Sequence, residues 1–189
     1  MTSQKSIYYL TGRGGQLNTG VGQGLIDRGY KISGREMSGI FDTLAIQDQI
    51  DLIKEDLQAN FWHKDAKIIA VSYGAYLLLQ TLTDLEPYPG SLLLLSPVLG
   101  GVVNSADMRY YSPPRSDKLM KLAGAEKFPK PREIEIHVGD NDWQSPFQRV
   151  IDFSLTVAGK YNVVPDTGHD LGKEYVSPVL DVWCSRHVK

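Results

Sequence analysis

The sequence predicts an α/β fold, a three-layer sandwich in which helices cover both faces of a parallel sheet of about six strands. Three observations predict it. Strand-like and helix-like segments alternate along nearly the whole chain. The segments AKIIAVS and SLLLLSPV are apolar without polar alternation, as strands covered on both faces are. A chain of 189 residues, 42% of them hydrophobic, is long enough to bury such a sheet without disulfides or metals.

SIYYLTG, from Ser6 to Gly12, reads as the first strand. GRGGQLNTG is too rich in glycine for a helix interior and reads as a loop. VGQGLIDRGY predicts a helix ending near Gly29, and YKISGREM a second strand. Asp42 is placed as the cap of a long helix reaching Phe61, because Leu44, Ile46, Ile50, Ile53, Leu57 and Phe61 fall at largely helical spacing. AKIIAVS is the third strand, and GAYLLLQTLTDL the apolar helix after it, stopped by Pro87 and Pro89. SLLLLSPV and REIEIHVG are the fourth and fifth strands. PFQRVIDFSLTVAG follows as a helix with proline in its first turn, then KYNVVPDTG as the sixth strand. YVSPVLDVWCSRHVK closes the chain as a helix, with Pro178 placed in its first turn.

The rhythm breaks between Val102 and Lys130, where a Pro113-Pro114 pair and one short helix, Ser116 to Ala123, are expected. That segment is too long for an ordinary connection. It is read as a short cap-like excursion over the ligand edge of the sheet, at about 102–130, within a single domain spanning 1–189.

The formal net charge is −2 and no basic tail or lysine-rich block occurs, which argues against nucleic acid as a partner. Cys184 is the one cysteine, so no internal disulfide forms, and the scattered His and Cys residues predict no metal site. The opening MTSQKSIYYLTGRGG does not read as a signal peptide, and no window approaches the roughly 20 apolar residues of a membrane span. A cytoplasmic setting and no cofactor are expected; the oligomeric state is left open.

The stretch AVSYG carries the chemistry. It puts Ser72 at the join of an apolar strand and an apolar helix, with the small residues Ala70 and Gly74 on either side, close to the nucleophile-elbow pattern G-x-S-x-G. The bland alternative is a serine helix cap. A serine hydroxyl needs a base, and the base needs an orienting acid. In open α/β sheets such groups gather beyond the C-terminal ends of the strands. After the fifth strand VGDNDWQSP brings Asp140 and Asp142, and after the sixth DTGHDLG brings His169. His63, His137 and His187 stand at a helix end, within a strand and near the terminus, so His169 is the expected base. Asp142 is favoured as the acid, three residues beyond Gly139, with Asp140 the alternative. The oxyanion donors are expected to be the Tyr73 N–H and one from TGRGG, Arg13 or Gly14 first and Gly12 next. Leu17, Met108, Tyr110 and Tyr111 are candidates to line an acyl pocket.

With YYLTGRGG, AVSYG, GDND and GHDLG in order, the chain resembles the α/β-hydrolase superfamily, and among its small members the retinoblastoma-binding-protein-9-like serine hydrolases. The resemblance covers nearly the whole chain. It implies a fold lacking the first two strands of larger relatives, with the order 4-3-5-6-7-8 in the family's strand labels. It also implies hydrolysis of a small-molecule ester or thioester through an acyl-enzyme, with Ser72, Asp142 and His169 as nucleophile, acid and base. Two departures are Ala70 for the first elbow glycine and GRGG where a His-Gly pair is common.

Two other readings compete. LTGRGGQLNTGVGQGLIDRGYKI also resembles the nucleotide loop of the short-chain dehydrogenases, with Arg35 and Glu36 after the second strand to meet NAD(P). The Tyr-x-x-x-Lys pair of that family is missing, since Leu77 stands four after Tyr73. The third reading is a non-catalytic binding module on the hydrolase fold.

Overall fold

The computed structural model describes residues 5–104 and 106–186. Its main sheet has six strands, β1 (Ser6–Arg13), β2 (Lys31–Met37), β3 (Lys67–Val71), β4 (Ser91–Leu95), β7 (Glu133–Gly139) and β8 (Lys160–Val164). All pair in parallel, in the order β2-β1-β3-β4-β7-β8. With β1 and β2 counted as the family's third and fourth strands, this is the expected 4-3-5-6-7-8. Between β4 and β7 lies a separate antiparallel hairpin, β5 (Val102–Asn104) with β6 (Arg109–Tyr111).

Side chains alternate across each strand, so a parallel sheet with no wet face must supply two cores. Tyr8, Leu10, Ile68, Ala70, Leu92, Leu94, Ile134 and Ile136 face one side. There they meet α3 (Ile46–Asn60), α4 (Ser72–Leu82), α5 (Lys118–Gly124) and α6 (Phe147–Thr156). Ile7, Tyr9, Ile69, Leu93 and Leu95 face the other, under α1 (Gly20–Asp27) and α7 (Lys173–Ser185). Strand β4 is buried along its whole length, which is why SLLLL shows no alternation.

Two helices depart from the sequence reading. The segment read as one helix from Asp42 breaks into α2 (Gly39–Thr43) and α3, with Leu44 extended at ψ 155° between them. Asp42 sits inside α2 and contacts Arg13 rather than capping the long helix. Pro178 lies at the sixth residue of α7, not in its first turn. The helix continues past it because Leu180, Trp183 and Cys184 bury against the sheet, which offsets the backbone bond that proline removes. Among the described residues no helix is long and apolar enough to cross a membrane.

Candidate active site

The turn from β3 into α4 is sharp because α4 packs directly back on β1. A Cβ at Gly74 would stand 2.3 Å from the Thr11 carbonyl oxygen, so only glycine fits there. Ala70, where the elbow pattern has glycine, buries its methyl in the larger core. Ser72 takes the bend itself, at φ +52°, a left-handed conformation that costs a non-glycine residue about 1–3 kcal/mol. Val71 occupies the N-cap position and no side-chain cap forms, so Ser72 is not a capping serine. Its Oγ lies 2.7 Å from His169 Nε2.

His169 Nδ1 is 2.8 Å from Asp142 Oδ2. The buried Asp142 carboxylate also accepts, on Oδ1, the N–H groups of Gln144 (2.9 Å) and Ser145 (3.0 Å). An ionised carboxylate only accepts, so Nδ1 of a neutral His169 carries the hydrogen and Nε2 offers a lone pair to the Ser72 hydroxyl. Asp140, the alternative acid, does other work. Its Oδ1 accepts the Thr167 N–H at 3.2 Å, and the Asn141 N–H donates to the Thr167 carbonyl at 3.0 Å. These bonds tie the loop carrying Asp142 to the loop carrying His169. A Cβ at Gly139 would be 2.1 Å from the Thr167 carbonyl oxygen, so the two loops touch through a glycine. Of the other histidines, His137 is buried between Glu135 and the Tyr175 hydroxyl, His63 lies in a distant cavity, and His187 lies outside the described residues.

As the second residue of α4, Tyr73 has an N–H with no partner four residues back in the helix. In the loop after β1, the Gly14 N–H donates to the Met37 carbonyl at 2.7 Å and the Gly15 N–H to the Gly12 carbonyl at 2.9 Å. Gly14, expected as a donor to an oxyanion, is therefore already spent on the neighbouring strand, which leaves the Arg13 and Gly12 N–H groups as the candidates. The Arg13 guanidinium stacks 4.1 Å over the Tyr73 ring and reaches Asp42 at 3.5 Å.

A cleft of about 360 Å³ opens over Ser72 and His169. Of the four residues expected to line it, Tyr111 does so. Its buried hydroxyl makes no hydrogen bond of ordinary geometry. Burial pushes its pKa up, with the nearby Arg13 charge opposing part of that rise. Tyr110 alternates to the other face of β6 and is 69% exposed, and Met108, in the hairpin turn, is 82% exposed. Leu17 packs toward α1 and α7 instead, with its N–H bonded to Glu36. The walls come from residues that the sequence reading passed over: Val21, Leu95, Val98, Leu171 and Val176, with Ser96 and Gln144 as polar points. Ser96 had a signal, a polar residue ending the apolar run SLLLL at the edge where the site forms. The valines and leucines had none beyond their hydrophobicity.

No family model and no curated protein matches the chain. Solved structures do. Est1E from Butyrivibrio proteoclasticus superposes with a TM-score of 0.66 at 14% identity, over 96% of this chain and 87% of that one. MGS-MChE2, an α/β hydrolase enzyme from a sediment metagenome of the Mar Chica lagoon, Morocco, gives 0.65 at 18%, over 96% and 90%. The ydeN gene product of B. subtilis gives 0.65 at 15%, over 97% of this chain and 100% of that one.

The chain has the α/β-hydrolase fold.

That fold overturns the dinucleotide reading. In a dinucleotide-binding sheet the second strand lies between the first and the third. Here β2 is an edge strand and β3 pairs with β1. Arg35 and Glu36, which would have met the nucleotide, are engaged elsewhere: Arg35 closes on Asp56 in two bonds, and Glu36 accepts the Leu17 N–H. A larger cavity of about 1010 Å³ lies among the N-terminal ends of β1, β2 and β3, away from Ser72. The Arg35–Asp56 pair lines it, and Lys67 there bonds the carbonyls that end α7.

Proposed function

We propose that the protein is a serine hydrolase that cleaves a small-molecule ester or thioester through an acyl-enzyme on Ser72. The observation that carries this is the unbroken hydrogen-bond chain Ser72 Oγ–His169 Nε2 and His169 Nδ1–Asp142 Oδ2, at 2.7 and 2.8 Å, at the floor of an open cleft. A serine held at φ +52° only to pack a strand against a helix would have no need of an imidazole on its hydroxyl.

In the first half-reaction Ser72 Oγ attacks the acyl carbonyl carbon while His169 Nε2 takes the hydroxyl proton. Asp142 holds the imidazole in its tautomer and offsets the charge that forms on it. The carbonyl oxygen becomes negative and is met by the N–H groups of Tyr73 and of Arg13 or Gly12, in the field of the α4 N-terminus. The intermediate collapses, the bond to the alcohol or thiol breaks, and His169 gives its proton to that leaving group. Water then repeats the sequence on the acyl-enzyme and releases the carboxylic acid. Structural neighbours include carboxylesterases of Nitrososphaera gargenis, which supports an ester as the substrate class. The cleft, of about 360 Å³ and with mostly aliphatic walls, suits a short acyl group. The setting we propose is the cytoplasm.

The test is hydrolysis of p-nitrophenyl esters of increasing chain length by the wild type and by Ser72→Ala. Turnover that vanishes in the variant, and falls with chain length, supports the reading. Wild-type rates equal to those of the variant on every ester would favour the binding module.

A further inference from the structure

Ser96 follows the last residue of β4, and two of its features serve no evident packing role. It is 2% exposed, yet its hydroxyl has no hydrogen-bond partner among the described residues. Its backbone stands at φ +46°, left-handed like that of Ser72, although it is not glycine. Its N–H is pinned to the His137 carbonyl at 2.8 Å, so the residue is held in that conformation by the adjacent strand. Burying a hydroxyl unpaired costs about 1–3 kcal/mol, and the backbone strain about as much again. Such costs persist where a ligand or a reacting group uses them.

The location says which group. Val71 of β3 pairs with Leu95 of β4, so the next residues, Ser72 and Ser96, stand side by side at the C-terminal edge of the sheet. Both line the cleft with His169. β1, which ends at Arg13, flanks β3 on one side, and β4 flanks it on the other. An acyl group on Ser72 that turns its carbonyl oxygen toward the β1 loop therefore presents its opposite flank to Ser96 and His169. On that flank the leaving group departs and, afterwards, water arrives.

We propose that the Ser96 hydroxyl holds the water that resolves the acyl-enzyme. This rests on the hydrolase reading above. Ser96 Oγ accepts one hydrogen of the water and His169 Nε2 the other, which leaves an oxygen lone pair aimed at the acyl carbon. The water oxygen bonds to that carbon as its proton passes to His169. The bond from carbon to Ser72 Oγ then breaks, His169 returns the proton to Ser72, and the carboxylic acid leaves.

p-Nitrophenyl acetate separates the two half-reactions, because p-nitrophenolate leaves without help and acylation then has no need of Ser96. In rapid-mixing measurements Ser96→Ala should release the first equivalent of p-nitrophenol at the wild-type rate. Its steady-state turnover should fall about tenfold, equivalent to about 1.4 kcal/mol, and acyl-enzyme should accumulate by intact mass. Hydroxylamine, a strong nucleophile that needs no positioning, should restore turnover. Ser96→Gly, which removes the hydroxyl but relieves the left-handed strain, should behave the same way, and it keeps the test intact should the alanine variant fold poorly. Unchanged steady-state turnover, or a burst and a steady state slowed in equal proportion, overturns the assignment of Ser96 while leaving Ser72 acylation standing. A wild type that forms no acyl adduct and turns the ester over no faster than Ser72→Ala overturns the hydrolase reading and this one with it.

Discussion

Gly74→Ala probes how the elbow is built. The added Cβ would lie 2.3 Å from the Thr11 carbonyl oxygen and 2.9 Å from that of Leu10, where ordinary contact begins at 3.4 Å. Both obstacles are backbone atoms of β1. Thr11 is further fixed by its hydroxyl, which accepts the Met37 N–H at 2.8 Å, so it cannot swing aside. α4 and β1 must therefore part by about 1 Å. Overpacking of this kind costs about 1–3 kcal/mol, and contact with backbone puts it at the upper end or beyond. Alanine returns about 1 kcal/mol through helix propensity, because Gly74 is the third residue of α4. The net loss is roughly 2 kcal/mol, which for a domain of this length lowers the melting temperature by about 4–8 °C. The same displacement moves Ser72 against the Arg13 loop. A misplacement of that size costs on the order of 100-fold in rate. Calorimetry and p-nitrophenyl acetate turnover measure the two effects. A melting temperature within a degree of wild type, together with full activity, would refute the claim that a backbone-to-backbone approach sets the serine in place.

Asp142→Asn should reduce turnover by about 10³–10⁴-fold with little loss of stability, since an amide presents a hydrogen to His169 Nδ1 and forces the wrong tautomer. The asparagine oxygen still accepts from Gln144 and Ser145, whereas Asp142→Ala should also lose about 1–3 kcal/mol in chemical denaturation. Acid stability should depend on Glu135, a buried carboxyl held down to about 2 from an ordinary 4.5 by its hydrogen bond with His137 and its contact with Arg186. With the folded value depressed, its contribution is fully present above pH 4.5 and is lost as the pH falls toward 2. It is worth roughly 3 kcal/mol at neutral pH. Denaturation midpoints measured from pH 6 downward should fall in that window for the wild type, and Glu135→Gln should start lower and flatten the fall.

The parts of this molecule legible in the sequence are those set by local chemistry. Apolar runs such as SLLLL had to be strands buried on both faces, and GHDLG had to be a loop after a late strand. The elbow was legible because small residues on both sides of Ser72 leave few other conformations. Legibility ended where distant parts decide. Leu17 and Tyr111 are both hydrophobic residues in loop-rich stretches, and only the packing of α1 and the pleat of β6 separate the one from the cleft and turn the other into it. Gly14 had the flexibility of a donor loop, but its N–H was claimed by the Met37 carbonyl on the neighbouring strand. The β5–β6 hairpin has strands of three residues each, too short for an alternation to declare itself. Pro178 reads as a helix start, and the burial of Leu180 and Trp183 overrode that signal.

The central claim, that His169 makes Ser72 a nucleophile, is tested most directly by a fluorophosphonate probe with intact-mass and peptide mapping. The account predicts one adduct per chain, located on Ser72, absent in Ser72→Ala and formed far more slowly in His169→Ala. A wild-type protein that stays unlabelled, or carries the adduct on another residue, would contradict it.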